Sequence, residues 1–579
     1  MIITSDSMYT NTEHGLLVAF GEFLQQHGLL KQLLAMPIQQ KTLIYSPQTK
    51  LIEFLAGIFG GIEYLSDLND ASHPIAKDPA VARAWSLTGF AHYSGVSRTL
   101  DVCDKQTVAA TQRAIEIFSQ PFIRTSVHEL LRMGKVLTYD FDLTGQAVSA
   151  TSTTYPNARF GWMDDQVRLG YQLARVCLTT ATGERLWLQG FHHPGDTVSA
   201  NCLHELVGAA EAQTQVRPRR RPDLVQQRVA TREQLMERPR RLLAQQHTKH
   251  SQLEQTELRV RLDIAQAEKR LKTPDSTAQT ERRRKTLTAW QARLPRLAQQ
   301  RTASERAIAR HQEYLDELAH QVTELKTWQA QLEQENQANP DAPVCEARMD
   351  SGFSGGANVT WLIEMGYQVN TKAPSDKTTN ALRKTVTPET PWTRVGANAE
   401  MTTPVEYTMQ GCAYPLRAAL ERFKLGETFQ YATLIQFSDA GTRPELAAWF
   451  QSYNGRQTIE AGNKELKSGV FHVQHLMTRS AAGIQLQVLF AGLAANSVRW
   501  AVPWLHTCAA ALTPKFEQTL TRPKHLVRVA ANTAALVQQT TTGTALRFAS
   551  NSALPGVTLV LKGIPAFQLP LAFQTPLQN

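Results

Sequence analysis

Three acidic residues stand where a carboxylate can be put to chemical use. Asp142 lies near the end of a stretch that alternates in polarity (VLTYDFDL, residues 136–143). Asp350 follows a short run before a Gly-rich turn (ARMDSGF, residues 347–353), and Glu460 lies in a segment of helical periodicity. Carboxylates at strand ends, with a third on a helix, are the ligand set that a two-metal phosphoryl-transfer centre needs. Two Mg2+ ions about 4 Å apart take bridging oxygens and stabilise the attacking and leaving oxygens of an in-line displacement. The triad alone is unspecific, because a chain with 51 Asp and Glu places three at element ends by chance.

The surroundings of Glu460 are more specific. Tyr453, Arg456, Glu460 and Lys467 are spaced 3, 4 and 7 apart. At about 100° per helical residue they fall within a sector of about 60° and share one face. Lys464 joins them one turn after Glu460. Such a face presents a metal-binding acid flanked by an aromatic hydroxyl and cations, a combination suited to a phosphodiester backbone. The plain alternative is a surface helix laced with i,i+4 Arg–Glu–Lys pairs, which are commonplace.

Strands and helices must bring these groups together. Helix-spaced apolar residues predict helices over 16–34, 50–68 and 108–133. Between them, residues 78–103 read as a short helix, a Gly-containing break and a second helix beginning near Ser97. That is a loose helix-turn-helix pattern, with a plain helical domain as the alternative. Strands are expected over 136–143, 168–178 and 184–191, the last two joined by the turn Thr179 to Gly183. A helix follows over 198–210. Further on, a strand over 344–349, a helix over 358–365 and a strand over 367–370 are expected. Additional strands fall within 393–409 and 428–437, long helices over 443–467 and 481–505, and a strand over 557–561. Three strands, a helix, an interruption and then strand–helix units describe an α/β core with an insertion.

The insertion carries the charge. Of the formal net +10, residues 216–340 hold nine, with 25 Lys and Arg against 16 Asp and Glu. This segment has no Gly. Its second half repeats every seven residues: Leu287, Leu294, Arg301, Ile308, Leu315 and Val322, with Trp290, Leu297, Ser304, His311, Leu318, Leu325 and Leu332 offset by three. The first half (Leu235, Leu242, Leu253, Val260, Ile264, Leu271) is less regular, and Pro239 and Pro295 should kink their helices. Thr273-Pro274-Asp275-Ser276 marks a turn. The pattern predicts a long antiparallel helical hairpin, with arms of about 60 residues and roughly 90 Å. The alternative is a parallel coiled coil that dimerises. Arg217-Pro218-Arg219-Arg220-Arg221 opens the segment and Arg282-Arg283-Arg284-Lys285 follows its tip. Both read either as solvated charge or as phosphate contacts that make binding salt-dependent.

Composition excludes several classes. An apolar fraction of 42% argues against a wholly disordered chain. Six Cys without a CxxC pair exclude a disulfide scaffold and argue against a zinc ribbon; they read as scattered core thiols. No signal peptide and no membrane span are expected; residues 481–495, interrupted by Gln485 and Gln487, read as a buried helix.

The Tyr-x2-Arg-x3-Glu-x6-Lys pattern at Tyr453, Arg456, Glu460 and Lys467 resembles the signature of a large branch of DDE transposases from bacterial insertion sequences. Other stretches share the resemblance. Asp142-Leu143-Thr144 resembles the family's first catalytic aspartate with its Asp-x-Thr. Arg348-Met349-Asp350-Ser351-Gly352-Phe353 resembles its second, and His193-Pro194-Gly195-Asp196-Thr197 its Pro-Gly-Asn-Thr turn. Phe490 to Asn496 resembles the helix after the glutamate, and the stretch from Phe54 to Pro79 is also similar. The resemblance covers nearly all of the chain outside 216–340.

The resemblance implies an α/β fold with an RNase H-like core. Here that core would be interrupted by the coiled-coil hairpin and preceded by an all-α N-terminal domain. The expected divisions are 1–133 (helical, DNA-binding), 134–215 (core), 216–340 (hairpin), 341–510 (core with a strand-rich insertion) and 511–579 (C-terminal region). It implies that Asp142, Asp350 and Glu460 hold two Mg2+, for which Mn2+ could substitute. Tyr453, Arg456, Lys464 and Lys467 would contact DNA. Thr144, Trp392, Arg219, Arg220 and Arg283 are secondary candidates; Trp392 and Tyr407 read either as stacking partners for a displaced base or, the commoner case for such aromatics, as core residues. Asp140 shares a strand face with Asp142 and is the alternative first ligand. The implied activity is cleavage of inverted-repeat element ends and joining of the freed 3′-hydroxyls to target DNA, by a homodimer in the cytoplasm that is nucleoid-associated when bound to DNA. A catalytically inactive, transposase-derived DNA-binding protein is the rival reading, and an inert coiled-coil scaffold a third. The hairpin between the two aspartates departs from the usual pattern.

Overall fold

The computed structural model describes residues 9–42, 44–272, 276–439, 441, 443–521, 523–530, 533–540 and 543–563. The expected turn residues Thr273, Pro274 and Asp275 lie outside these. The chain divides into two compact units. One comprises Met1–Pro218, Asp341–Ile363 and Tyr367–Asn579; the other comprises Arg219–Pro340 with Glu364–Gly366.

In the first unit, helices Gly15–Gln26, Leu29–Leu34, Pro47–Phe59, Tyr93–Val102 and Lys105–Arg132 occupy the N-terminal stretch. Two expected helices are shorter than their apolar periodicity suggests. Gly28 at φ +78° splits the first, and Gly61 at φ +70° follows the end of the second, where L side chains would be strained. The helix-turn-helix reading of 78–103 does not hold in its details. Residues 85–92 separate Pro79–Ala84 from Tyr93–Val102, more than the 3–4 residues of such a turn. The second helix starts at Tyr93, not Ser97, because the His92 side chain accepts the Ser94 N–H and caps it. Phe23 and Phe122 pack on Trp504 and Trp500 of the long helix Ala481–Cys508, so N-terminal and C-terminal regions share one core with the sheet. The separate domains expected at 1–133 and 511–579 are therefore joined in one unit. Ala481–Cys508 is long and apolar enough to cross a membrane, but 78% of its most apolar window is buried against protein.

Strands are numbered along the chain: β1 (Tyr9–Thr12), β2 (Leu137–Ala147), β3 (Arg159–Met163), β4 (Gln166–Thr179), β5 (Arg185–Pro194), β6 (Cys345–Met349), β7 (Gln368–Lys372), β8 (Trp392–Arg394), β9 (Ala399–Thr402), β10 (Val405–Tyr407), β11 (Leu416–Leu425), β12 (Thr428–Phe437), β13 (Ala535–Thr540), β14 (Gly543–Phe548) and β15 (Thr558–Leu561). The fold is mixed α/β. Through the centre of its large sheet the order is β5-β4-β2-β6-β7. Strands β2, β4 and β5 are antiparallel neighbours, while β6 is parallel to β2 and β7 parallel to β6. Strand β12 then adds antiparallel to β7 and carries β11, β9 and β8, so the chain between Asp350 and Glu460 extends the same sheet. Strands β1, β13, β14 and β15 form a second, four-stranded sheet.

The second unit is an antiparallel hairpin of two helices, Pro222–Leu271 and Thr277–Gln337, which continue through Pro239 and Pro295. Cross-arm contacts run in opposite senses: Lys326 to Glu233 at 2.8 Å and Ser304 to the Gln246 carbonyl at 3.4 Å. The heptad positions Leu297, Leu315, Leu318, Val322, Leu325 and Leu332 are buried within this single chain, so the seam needs no second copy. Leu235, expected in the seam, is 45% exposed; its neighbour Met236 is buried instead. The polar interruption at Arg301 faces buried Glu257 at 3.7 Å, which also pairs with Arg261. At the base, Asn336 both accepts the Arg220 N–H and donates to its carbonyl, at 2.8 and 3.0 Å.

Candidate active site

Adjacent parallel strands place the two aspartates. Phe141 of β2 is in register with Met349 of β6, so Asp142 and Asp350 follow at the same level of neighbouring strands. The third acid arrives on the helix Gln457–Lys464. One guanidinium touches all three: Arg456 Nη2 lies 2.6 Å from Asp142 Oδ1 and 3.4 Å from Asp350 Oδ2, and Nη1 lies 2.8 Å from Glu460 Oε1. Residues 142, 350 and 460 thus converge on one cation.

Arg456 is able to reach inward because the helix is not continuous. The expected helix over 443–467 is Leu446–Asn454, a turn at Gly455 and Arg456, Gln457–Lys464, and a wide turn over Glu465–Gly469. Arg348 causes the break. Its Nη1 donates to the Ser452 carbonyl, which in an uninterrupted helix would accept from Arg456 N–H. The Arg456 N–H bonds the Tyr453 carbonyl instead, at 3.0 Å. The guanidinium also lies so close to Gly455 that a side chain there would collide with it.

Asp142 is 8% exposed, and burial pushes its carboxyl up to about 7, although Arg456 opposes the shift. Its second oxygen accepts from Asn463 Nδ2, and Asn463 Oδ1 accepts from buried Arg175 at 2.9 Å. Burial drags Arg175 down to about 9, against the pull of Asp142. Asp350 is fixed at one oxygen by the Gly352 N–H at 2.9 Å. Glu460 is 56% exposed and pairs with Arg456 through Oε1.

The other expected residues divide. Arg456 is 7% exposed and pairs with the three acids. Tyr453 is buried in an apolar cluster with Met401, Leu434 and Trp449, under Lys372 Nζ at 5.6 Å from the ring centroid. Burial holds its hydroxyl above the ordinary range. Lys467 reaches Thr144 Oγ1 at 3.3 Å and Asp164 at 3.7 Å, and Lys464 is exposed. Asp140 is wholly buried and bidentate with Arg348, at 2.5 and 2.7 Å, with Thr179 donating at 3.0 Å. It is committed to that pair, which leaves Asp142 as the first acid of the cluster. Trp392 and Tyr407 lie in the sheet extension. Arg422 covers the Trp392 ring at 4.0 Å, and the Tyr407 hydroxyl lies 3.1 Å from Thr378 Oγ1.

In the hairpin unit, Arg220 is 3% exposed, with Nε 2.7 Å from Glu335 and Nη1 3.0 Å from the Met365 carbonyl. It is a structural ion pair and not available to a polymer. Arg219 is exposed, and Arg283 is half-buried, donating to the Arg270 carbonyl at 3.1 Å. Sequence reasoning missed Arg175, Asn463 and Arg348. Asn463 was within reach, since it lies three residues after Glu460 on the same helical face. Comparison with protein-family models and with curated proteins finds no match for this chain.

Proposed function

We propose that the chain is a DNA-cleaving and strand-joining enzyme of the DDE transposase type, built on an RNase H-like core, with Asp142, Asp350 and Glu460 as ligands for two Mg2+. The observation that carries the reading is the convergence of three acids from distant chain positions on Arg456. The sheet supports it: an antiparallel triplet followed by two parallel strands, with one aspartate on the first strand and another just after the fourth. The donor set is all carboxylate oxygen, which suits a hard divalent ion. A cationic group, the Arg456 guanidinium, already occupies the centre of the cluster, where three carboxylates attract positive charge.

When bound, the ions would activate the attacking oxygen and stabilise the leaving oxygen of a phosphodiester. The chain's own groups do the rest. Asn463 and Arg175 hold one face of Asp142, so its other oxygen is aimed at the cluster. The Gly352 N–H fixes Asp350 in the same way. Arg456, displaced from the acids, becomes a guanidinium beside the scissile phosphate, and Lys464 and Lys467 supply further cations on the same side. Double-stranded DNA at the element's ends and in the target is the proposed substrate, bound by a homodimer.

The test is a nicking assay with Mg2+ on DNA carrying the repeats that flank the coding region. Wild-type protein should cleave, and Asp142→Ala, Asp350→Ala and Glu460→Ala should bind the same DNA without cleaving it. Full cleavage by Asp350→Ala would overturn the site. Retained binding with no cleavage by wild type would point to an inactive DNA-binding descendant.

A further inference from the structure

A second cluster of ligand-type side chains lies outside the three acids. His193 stands near the end of β5, and Cys202 and Glu205 stand three residues apart on one face of the helix Ser199–Thr214. Their nitrogen, sulfur and oxygen ligand atoms all lie within 4.8 Å of one another. His193 Nε2 is 2.5 Å from Glu205 Oε1. Both atoms are buried, and neither has a partner in hydrogen-bond alignment. Cys202 is buried; its thiol donates to the Val198 carbonyl at 3.8 Å and also interacts with the His193 side chain. The mechanism proposed for the acids uses none of the three.

We infer that His193, Cys202 and Glu205 form a binding site for a zinc-class divalent ion, with water in the fourth position. The ligand chemistry selects the metal. A thiolate with an imidazole favours Zn2+ or Co2+ and disfavours Mg2+, which takes oxygen. The spacing is compatible: ligand atoms around a tetrahedral zinc sit roughly 3.3–3.7 Å apart, given zinc–ligand bonds of about 2.0–2.3 Å. The histidine and glutamate would separate slightly to admit the ion, which would take over the role of their present ion pair. Two side chains on a helix and one at a strand end make this a clip between β5 and the start of that helix. The start of the helix matters to the rest of the molecule. A side chain at Gly352 would meet Ser199 Oγ at 2.8 Å and Asp350 Oδ1 at 3.2 Å, so the first helical residue abuts the Asp350 turn. Asn358 also donates to the Ala200 carbonyl at 2.9 Å. The ion is therefore a positioning element for the Asp350 turn as well as a fold clip.

Metal analysis of the full chain tests this without any cleavage assay, so its failure is separable from failure of the transposase reading. Protein stripped with chelator and titrated with Co2+ should develop a sulfur-to-cobalt charge-transfer absorption that saturates at one equivalent, and Zn2+ should abolish it. The band should vanish in Cys202→Ser and weaken in Glu205→Gln, yet persist in Asp350→Ala. Zn2+ should raise the melting temperature of the wild type but not of Cys202→Ser. If Cys202→Ser does not fold, His193→Gln serves, with the same loss expected. Absence of a thiolate band in the wild type, or an undiminished band in a folded Cys202→Ser or His193→Gln, overturns the site and leaves His193–Glu205 a plain ion pair.

Discussion

Arg456 and Asp142 are 314 positions apart in sequence and 2.6 Å apart in space. The same guanidinium reaches Asp350 and Glu460, so one cation pairs with three carboxylates. A metal ion and this arginine compete for the same oxygens. Arg456→Ala should therefore lower the melting temperature in chelator, where the acids would repel one another uncompensated. Breaking a buried pair costs about 3–5 kcal/mol, and the exposure of Asp350 and Glu460 puts this case near about 2–3. Mg2+ should restore much of the loss, giving the variant a larger Mg2+-induced shift than the wild type. Thermal melts with and without Mg2+ read this directly. Equal shifts in the two proteins would show that the ion does not bind where the guanidinium sits.

Two aspartates on one strand face differ in what they touch, and this predicts different failures. Asp140, wholly buried, forms a bidentate pair with Arg348, which lies opposite it on β6. Asp140→Ala would strand a buried guanidinium and should cost about 3–5 kcal/mol of stability. Arg348 also shapes the Gly455 break through the Ser452 carbonyl, so the position of Arg456 should be lost with it. Asp142→Asn, by contrast, should keep most of the stability and lose cleavage. Urea denaturation together with a nicking assay separates the two. Wild-type stability in Asp140→Ala would remove the structural role assigned here.

Much of the sheet was legible because its strands alternate or run apolar between clear turns. Strand β12 matches its expected range, and β2, β4, β5 and β6 are shifted by only a few residues. Strand β11 was not legible. Its sequence LRAALERFKL is rich in helix formers, and its ladders with β12, from Arg417 opposite Gln436 to Leu425 opposite Thr428, and with β9 and β10 on its other edge make it extended. Strand β3 hid because its two-residue hairpin turn is Asp164-Asp165, both at positive φ, where Asn-Gly is the stronger signal. At the site, residue types and spacing singled out the three acids. The role of Arg456 was not visible, since helical spacing alone put it on an outer face. The helix break that turns it inward depends on Arg348, 108 positions earlier, and no local pattern reports that contact. The inward pairing of Arg220 was hidden in the same way: in sequence it is one of a run of like charges, and only the fold separates it from its neighbours.

A buried carboxyl in the N-terminal helices gives a pH prediction. Glu53 is wholly buried, accepts the Ala91 N–H at 2.8 Å, and is pushed by burial up to about 8, against the weaker pull of that bond and of Lys50. Its folded pKa is raised above the unfolded value, so its contribution to stability is fully present below the unfolded pKa of about 4.3 and is lost as pH rises through about 8. Glu53→Gln keeps an oxygen for Ala91 and carries no charge. The variant should match the wild type near pH 5 and exceed it near pH 9 by ~2–4 kcal/mol. Urea unfolding at the two pH values measures the difference; a pH-independent offset would mean that the carboxyl does not stay neutral in the fold.

The charge of the hairpin makes the last prediction. Residues 216–340 hold nine of the ten net positive charges, yet Arg220 and Arg301 are tied into ion pairs with Glu335 and Glu257. Arg282, Arg284 and Lys285 are exposed near the tip, on the helix Thr277–Gln337. If the hairpin is a second DNA contact, each phosphate neutralised there releases a counterion. The slope of log binding constant against log salt then falls by about 0.9 per lost contact. Changing all three to Gln should thus flatten the slope by roughly 2–3 without altering sequence preference, since phosphate contacts carry no base information. These side chains contribute nothing to the seam, so helix content and melting temperature should stay at wild-type values and the effect can be assigned to binding. Mobility-shift titrations over a range of salt concentrations measure the slope. A slope unchanged within error would confine DNA binding to the unit that holds Asp142, Asp350 and Glu460, and the hairpin's charge would then be solvation of a long helical arm.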